Sequence, residues 1–157
     1  MNRIFFLLLI FFFSVSSCAS EDDICLSADT TARLKVKFKT SEGKLKTLDS
    51  VYVNVDYGNG LQEILATQSK TDSLLIPLRI DESVSTDIYV STSKIGPSSK
   101  IKIKYTTTSE YVSTACGIKK IYNNIEPILE ISNEVKSIEK NQTQIADEAK
   151  THIFLIF

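Results

Sequence analysis

Arg33 to Thr40 read RLKVKFKT. Leu34, Val36 and Phe38 fall on one side of an extended chain, and Lys35, Lys37 and Lys39 on the other. Successive side chains of a strand point to opposite faces, so this alternation marks a strand with one buried and one wet face. The pattern recurs in SVYVNVDY (Ser50–Tyr57), where Val51, Val53 and Val55 form the apolar side. It recurs again in TDIYVSTS (Thr86–Ser93) and KIKIKYTTT (Lys100–Thr108).

The residues between these runs are turn formers. GNG at Gly58–Gly60 tolerates positive φ and predicts a tight hairpin, with LQEILAT (Leu61–Thr67) as the return strand. SLLIPLRI (Ser73–Ile80) is apolar throughout, and Pro77 lacks a ladder donor, which predicts an edge strand or a bulge. IGPSS (Ile95–Ser99) turns the chain into the next strand. EYVSTACGIKKIY (Glu110–Tyr122) reads as strand throughout, with Gly117 at a bulge. PILEIS (Pro127–Ser132) is a further strand, and EVKSIEK (Glu134–Lys140) is read as strand rather than a short helix. DEAK (Asp147–Lys150) turns into THIFLIF (Thr151–Phe157), read as a closing strand in the core. An apolar edge left open there would invite aggregation. Many short strands separated by turns predict an all-β, single-domain antiparallel β-sandwich, immunoglobulin-like or similar.

The front of the chain has a different character. Met1, Asn2 and Arg3 precede the apolar run IFFLLLIFFFSV (Ile4–Val15), followed by Ser16, Ser17 and Cys18. A basic start and a short apolar run read as a secretory signal, and the run is shorter than the roughly 20 residues a bilayer span needs. VSSC (Val15–Cys18) looks like a lipobox: small residues let a peptidase cut before the cysteine, whose thiol takes a diacylglycerol. Buried acyl carbons contribute about 0.8 kcal/mol each, so two or three chains anchor a protein stably. The expectation is a signal peptide at residues 1–17, a lipidated acidic tether at 18–24 and a β-sandwich domain at 25–157. In the tether, Glu21, Asp22 and Asp23 resemble the export signal that sends Bacteroidota lipoproteins to the outer face of the outer membrane. A wet spacer would have the same composition.

Removal of residues 1–17 leaves 140 of the 157 residues and, with Arg3 gone, 17 basic against 19 acidic residues. That length suits one domain with its own core. No dense basic patch is present, which argues against nucleic-acid binding. With Cys18 given to lipid, Cys25 and Cys116 are the remaining thiols. Beyond the inner membrane thiols are oxidised, so these two are expected to pair, provided their Cα atoms come within about 7 Å. Two cysteines and a distant His152 do not have metal-ligand spacing.

CASEDDIC near the start, VSTACG (Val112–Gly117) and DEAKTHIFLIF at the end together resemble a family of uncharacterised Bacteroidota lipoproteins. Its members carry a lipobox cysteine, a short acidic stretch ending in D-D-I-C, a strand-rich middle and a late C-G. The resemblance implies outer-membrane attachment and a β-rich fold, and it supplies no activity or catalytic residues. SADTTARL (Ser27–Leu34) stands where many members have Thr-Pro, a departure expected to affect only a turn.

Catalytic constellations are sparse. There is no Gly-rich phosphate loop and no G-x-S-x-G elbow. The one histidine, His152, lies in an alternating segment and reads as structural. DYGNG (Asp56–Gly60) lacks the run of carboxylates Ca²⁺ needs and reads as a turn. Tyr52, Tyr57, Tyr89, Tyr105, Tyr111 and Tyr122 would line a sugar-binding face if they shared one side of a sheet. Three tripeptides, DTT, DSV and DSL, resemble Bacteroidota O-glycosylation sites, with Thr30, Ser50 and Ser73 as acceptors. The expected function is a non-enzymatic, lipid-anchored structural or interaction module of the outer membrane, without cofactor or metal. Its partners would be the membrane, through the N-terminal lipid, and an envelope protein. The alternative is a surface module that binds glycan or another ligand.

Overall fold

A computed structural model describes residues 25–26, 29–67 and 69–157. Cys18 and Glu21–Asp23 lie outside the described residues, and so do the proposed leader and tether. The described residues form two sheets that pack face to face, as the alternating runs predicted.

The five-stranded sheet contains β1 (Leu34–Lys39), β2 (Leu45–Lys46), β5 (Ser73–Ile76), β9 (Ser137–Lys140) and β11 (Ile153–Ile156). Its order is β2–β1–β11–β9, with β5 also paired to β1. The RLKVKFKT stretch thus becomes a central strand. Its first half pairs β5 (Leu34 opposite Ile76) and its second half pairs β2 (Phe38 opposite Lys46). Pro77 follows β5 directly, so the missing donor ends an edge strand, as expected. The apolar C-terminus is a closing strand: β11 lies between β1 and β9, with Ile153 and Leu155 fully buried. Its pairing with β1 is parallel, Val36 opposite Ile153 and Phe38 opposite Leu155. The sandwich is therefore largely, and not entirely, antiparallel. Parallel neighbours need a long connection, and here nearly the whole chain supplies it.

The six-stranded sheet contains β3 (Val51–Asp56), β4 (Leu61–Thr67), β6 (Ser85–Ser91), β7 (Ser99–Ser113), β8 (Gly117–Ile131) and β10 (Gln144–Ile145). Its order is β10–β8–β7–β6–β3–β4, antiparallel throughout. Gly58 and Gly60 both take positive φ, 91° and 102°, in the β3–β4 hairpin, and Asp56 Oδ1 accepts from the Gly58 amide at 2.7 Å. GNG is the turn the sequence indicated.

The segment Glu110–Tyr122 departs from its reading as one strand. Thr114, Ala115 and Cys116 form a three-residue loop, and Gly117 (φ 71°) opens the returning strand. A three-residue hairpin loop needs one residue with positive φ, which glycine supplies without strain. The PILEIS stretch in turn is not a separate strand: its residues Pro127 to Ile131 are the end of β8. Asn124 (φ 54°) sits at a bulge in β8, where the register against β7 shifts between Lys104 and Thr106.

The inward faces of the sheets meet in one core. Val36, Phe38 and Leu155 come from the first sheet, and Val53, Val55, Val90 and Ile103 from the second. Burying one such side chain contributes about 1.5–3 kcal/mol. At one end of the core, the rings of Tyr105 and Tyr122 meet edge to face, with centroids 4.9 Å apart. The Tyr122 hydroxyl donates to Arg79 O at 3.2 Å.

Candidate functional site

β7 and β8 are each 15 residues long. At about 3.3 Å per residue they form a hairpin of roughly 50 Å, and the covering sheet does not follow it to its tip. Along the inward-facing side of β7, exposure rises from 3% at Tyr105 to 66% at Tyr111. On the facing strand it rises from 0% at Tyr122 to 65% at Ile118. Tyr111 and Ile118 are direct cross-strand partners. The hairpin therefore extends beyond the core as an arm on whose inner face Tyr111 and Ile118 are left exposed by the described residues.

The disulfide is at the tip of this arm. Cys25 and Cys116 are bonded, with Cα atoms 5.6 Å apart, as the cysteine inventory predicted. Cys116 ends the hairpin loop, and its amide donates to Ser113 Oγ at 3.1 Å. Farther from the tip, the Lys120 amide of β8 donates to Thr31 Oγ1 at 2.9 Å. Leu26, next to the disulfide, is 63% exposed. Next along this segment, Leu26 and Asp29 close a small turn: the Leu26 amide donates to Asp29 Oδ2 and the Asp29 amide to Leu26 O.

The other predicted residues are scattered. Thr30 is exposed on the segment that leaves the disulfide. Ser50 is half-buried, and its hydroxyl donates to Thr92 O at 2.5 Å. Ser73 opens β5, and its hydroxyl donates to Asp72 Oδ1 at 2.9 Å. The three glycosylation candidates thus occupy separate places. The six tyrosines do not form a face. Tyr52, Tyr105 and Tyr122 are buried, Tyr57 packs against the core with its hydroxyl on Pro77 O, and Tyr111 is at the arm's tip. Tyr89 is half-buried on the outer side of the six-stranded sheet. The expectation of a tyrosine platform fails because side chains of one strand alternate in direction and the candidates come from different strands.

His152 is structural, as its alternating context indicated. It is 2% exposed, and its Nδ1 accepts from the Lys35 amide at 2.8 Å while its own amide donates to Lys35 O. Burial lowers its pKa below the ordinary value and keeps the ring neutral, in the form that can accept.

On the outer side of the six-stranded sheet, Lys100 Nζ lies 2.9 Å from Asp87 and 2.7 Å from Glu130, and Lys102 Nζ lies 2.6 Å from Glu130. The two lysines, Lys100 first, hold the Glu130 carboxyl down to about 2. Opposite charges here satisfy one another. A groove of about 750 Å³ lies on the flank where β4 and β5 end their sheets, lined in part by Lys35, Leu65, Lys70, Leu75 and Pro77. Lys35 in that groove is engaged, with Nζ donating to Glu148 O and Ala149 O. Among the described residues, no group of three or more His, Cys, Asp or Glu is placed to hold a metal ion.

Tyr111 and Ile118 face each other because the loop Thr114–Cys116 turns the chain back within a segment that reads as unbroken strand; the local signal for that turn is the small residues Thr114 and Ala115 ahead of Gly117.

The fold and the tip disulfide define a disulfide-stapled β-sandwich with a projecting hairpin arm. A family of unknown function, DUF6452, matches residues 53–157, and the chain belongs to it. The match includes VSTACG and the terminal THIFLIF and stops short of Asp22–Cys25. No curated protein and no solved structure matches the chain.

Proposed function

We propose that this chain is a lipid-anchored outer-membrane lipoprotein of the Bacteroidota, serving as a non-enzymatic structural or interaction module of the envelope. The observation that carries the reading is the position of the disulfide. It joins Cys25, seven residues after the lipobox cysteine, to the tip of the β7–β8 arm. A disulfide belongs to a protein held in an oxidising compartment. A tether that ends on a covalent staple transmits the anchor's position to the whole sandwich. Three further features support the reading. The basic start, apolar run, small residues and Cys18 occur in lipoprotein order. Glu21–Asp23 supply the acidic stretch of an export address. His152, the one histidine, is occupied by the Lys35 backbone, which removes the obvious general base.

Two experiments test this. Cys18→Ser should move the protein from the membrane fraction to the soluble fraction and leave the precursor uncleaved; unchanged fractionation and processing would refute the anchor. Cross-linking in intact cells should recover a stoichiometric envelope protein. Turnover of a substrate that depended on described side chains would refute the non-enzymatic role.

A further inference from the structure

We propose that the tip of the β7–β8 arm docks on the bilayer surface that holds the lipid anchor, with Leu26, Tyr111 and Ile118 as the contact. The inference rests on the lipoprotein reading and adds an orientation and a second membrane contact to it.

The first argument is reach. Cys18 and Cys25 are seven positions apart. Fully extended, that stretch spans at most about 25 Å. The whole β7–β8 hairpin, of which the arm is the outer part, is roughly 50 Å long. Because Cys25 is bonded at the arm's tip, the tip stays within about 25 Å of the lipid, whereas this link does not restrain the opposite end of β7. Docking of the tip would stand the sandwich on its arm.

The second argument is surface chemistry. Tyr111 and Ile118 are opposite one another and share the face that carries Tyr105 and Tyr122 deeper in the arm. That face belongs to the core side of the sheet; past Thr107, Ser109 and Lys120 it ends in the apolar pair Tyr111 and Ile118, which is exposed. A tyrosine carries an apolar ring and a polar hydroxyl, which suits the headgroup boundary of a bilayer. The neighbouring cations are engaged with the protein, Lys119 with Glu110 at 3.6 Å and Lys120 with Glu82 at 3.5 Å, and their side chains are only 16% and 20% exposed. Glu110 beside them leaves the tip without a strong net charge, so docking depends on apolar contact more than on anionic lipid.

The third argument is concentration. Three side chains would bind a membrane weakly if the protein were free in solution. Anchored by its own acyl chains, the tip meets the surface as an intramolecular event, so a weak contact suffices.

The test uses the lipidated full chain in phosphatidylcholine vesicles. The chain contains no tryptophan, so Ile118→Trp introduces a single emitter at the tip, and Ile95→Trp places one in the β6–β7 loop at the opposite end of β7. Both positions are exposed, at 65% and 97%. Ile118→Trp should shift to the blue on vesicles and lose emission to brominated lipid, while Ile95→Trp should do neither. Equal quenching at the two sites, in protein that floats with the vesicles, would overturn the docking and leave the anchor intact. Failure of the native chain to float, with Cys18→Ser behaving identically, would overturn both. Because tryptophan itself favours interfaces, hydrogen exchange on the native chain is the second measurement. Amides near Tyr111 and Ile118 should exchange more slowly on vesicles than in the Cys18→Ser protein. The Tyr111→Ser, Ile118→Ser variant should lose that protection while still floating. Protection that instead tracks a cross-linked second copy or a protein partner would refute a lipid surface as the occupant.

Discussion

Replacing both Cys25 and Cys116 by serine removes one covalent link and leaves no unpaired thiol at the arm's tip. The bond spans 91 residues. The chain-entropy model for closing a loop of that length gives about 4.6 kcal/mol of stabilisation at room temperature. That figure is a ceiling, because the two ends differ in how firmly they are held. Cys116 belongs to a hairpin paired from Lys100 to Gly117. Cys25 belongs to a segment outside the sheets, joined to β8 by the Lys120–Thr31 hydrogen bond. That bond contributes about 1 kcal/mol. Once the link is gone, residues 25–31 gain freedom in the folded protein as well as in the unfolded one, and part of the entropy term cancels. The expected loss is about 2–4 kcal/mol, or roughly 5–15 °C in melting temperature for a domain of this size. Urea unfolding of native and doubly substituted protein, followed by far-ultraviolet circular dichroism, measures it. Midpoints that coincide, with identical strand content, would show that the staple does not constrain the unfolded chain and would refute the reasoning. A loss well beyond the ceiling would mean that residues 25–31 hold the arm together by contacts of their own.

The folded-state pKa of His152 lies below its ordinary value because burial disfavours the charged ring. Its contribution is therefore fully present above about pH 6.5, the unfolded value, and is lost as pH falls toward the folded pKa. His152→Leu should flatten that acid-side decline in urea midpoints and, by leaving the Lys35 amide without its acceptor, cost about 1–3 kcal/mol at neutral pH. Gly58→Ala should destabilise by about 1–2 kcal/mol, since φ of 91° disfavours any side chain and the new Cβ would meet the Arg79 guanidinium at 3.0 Å; calorimetry reads the loss. Tyr122→Phe should cost about 0.5–1.5 kcal/mol for the lost bond to Arg79 O, with the ring contact to Tyr105 retained. A neutral result there would show that the hydroxyl is as well served by water.

How much of this was legible depends on the range of the information each feature needs. β1, β3, β6 and the start of β7 could be read because Leu34, Val36 and Phe38, or Val51, Val53 and Val55, carry their facing in a local alternation. The GNG turn was equally local, since positive φ is a property of the residues that adopt it. The partners of those strands were not local. Nothing in THIFLIF says that it runs parallel to RLKVKFKT. That register follows from which apolar face remains to be covered after the hairpins have formed. The tip of the arm failed for a related reason. Tyr111 and Ile118 keep the facing of Tyr105 and Tyr122: they do point to the core side of the sheet. What the pattern cannot encode is where the opposite sheet stops. A period of two reports direction, and burial requires a partner layer as well, so a strand that outruns its covering sheet looks the same as one that does not. The disulfide supplies the missing clue. Two cysteines far apart in sequence, one beside the proposed anchor and one before a glycine, fix where the arm ends relative to the tether. An apolar pair beyond the reach of the core, at the end nearest the proposed anchor, then fits the proposed membrane contact.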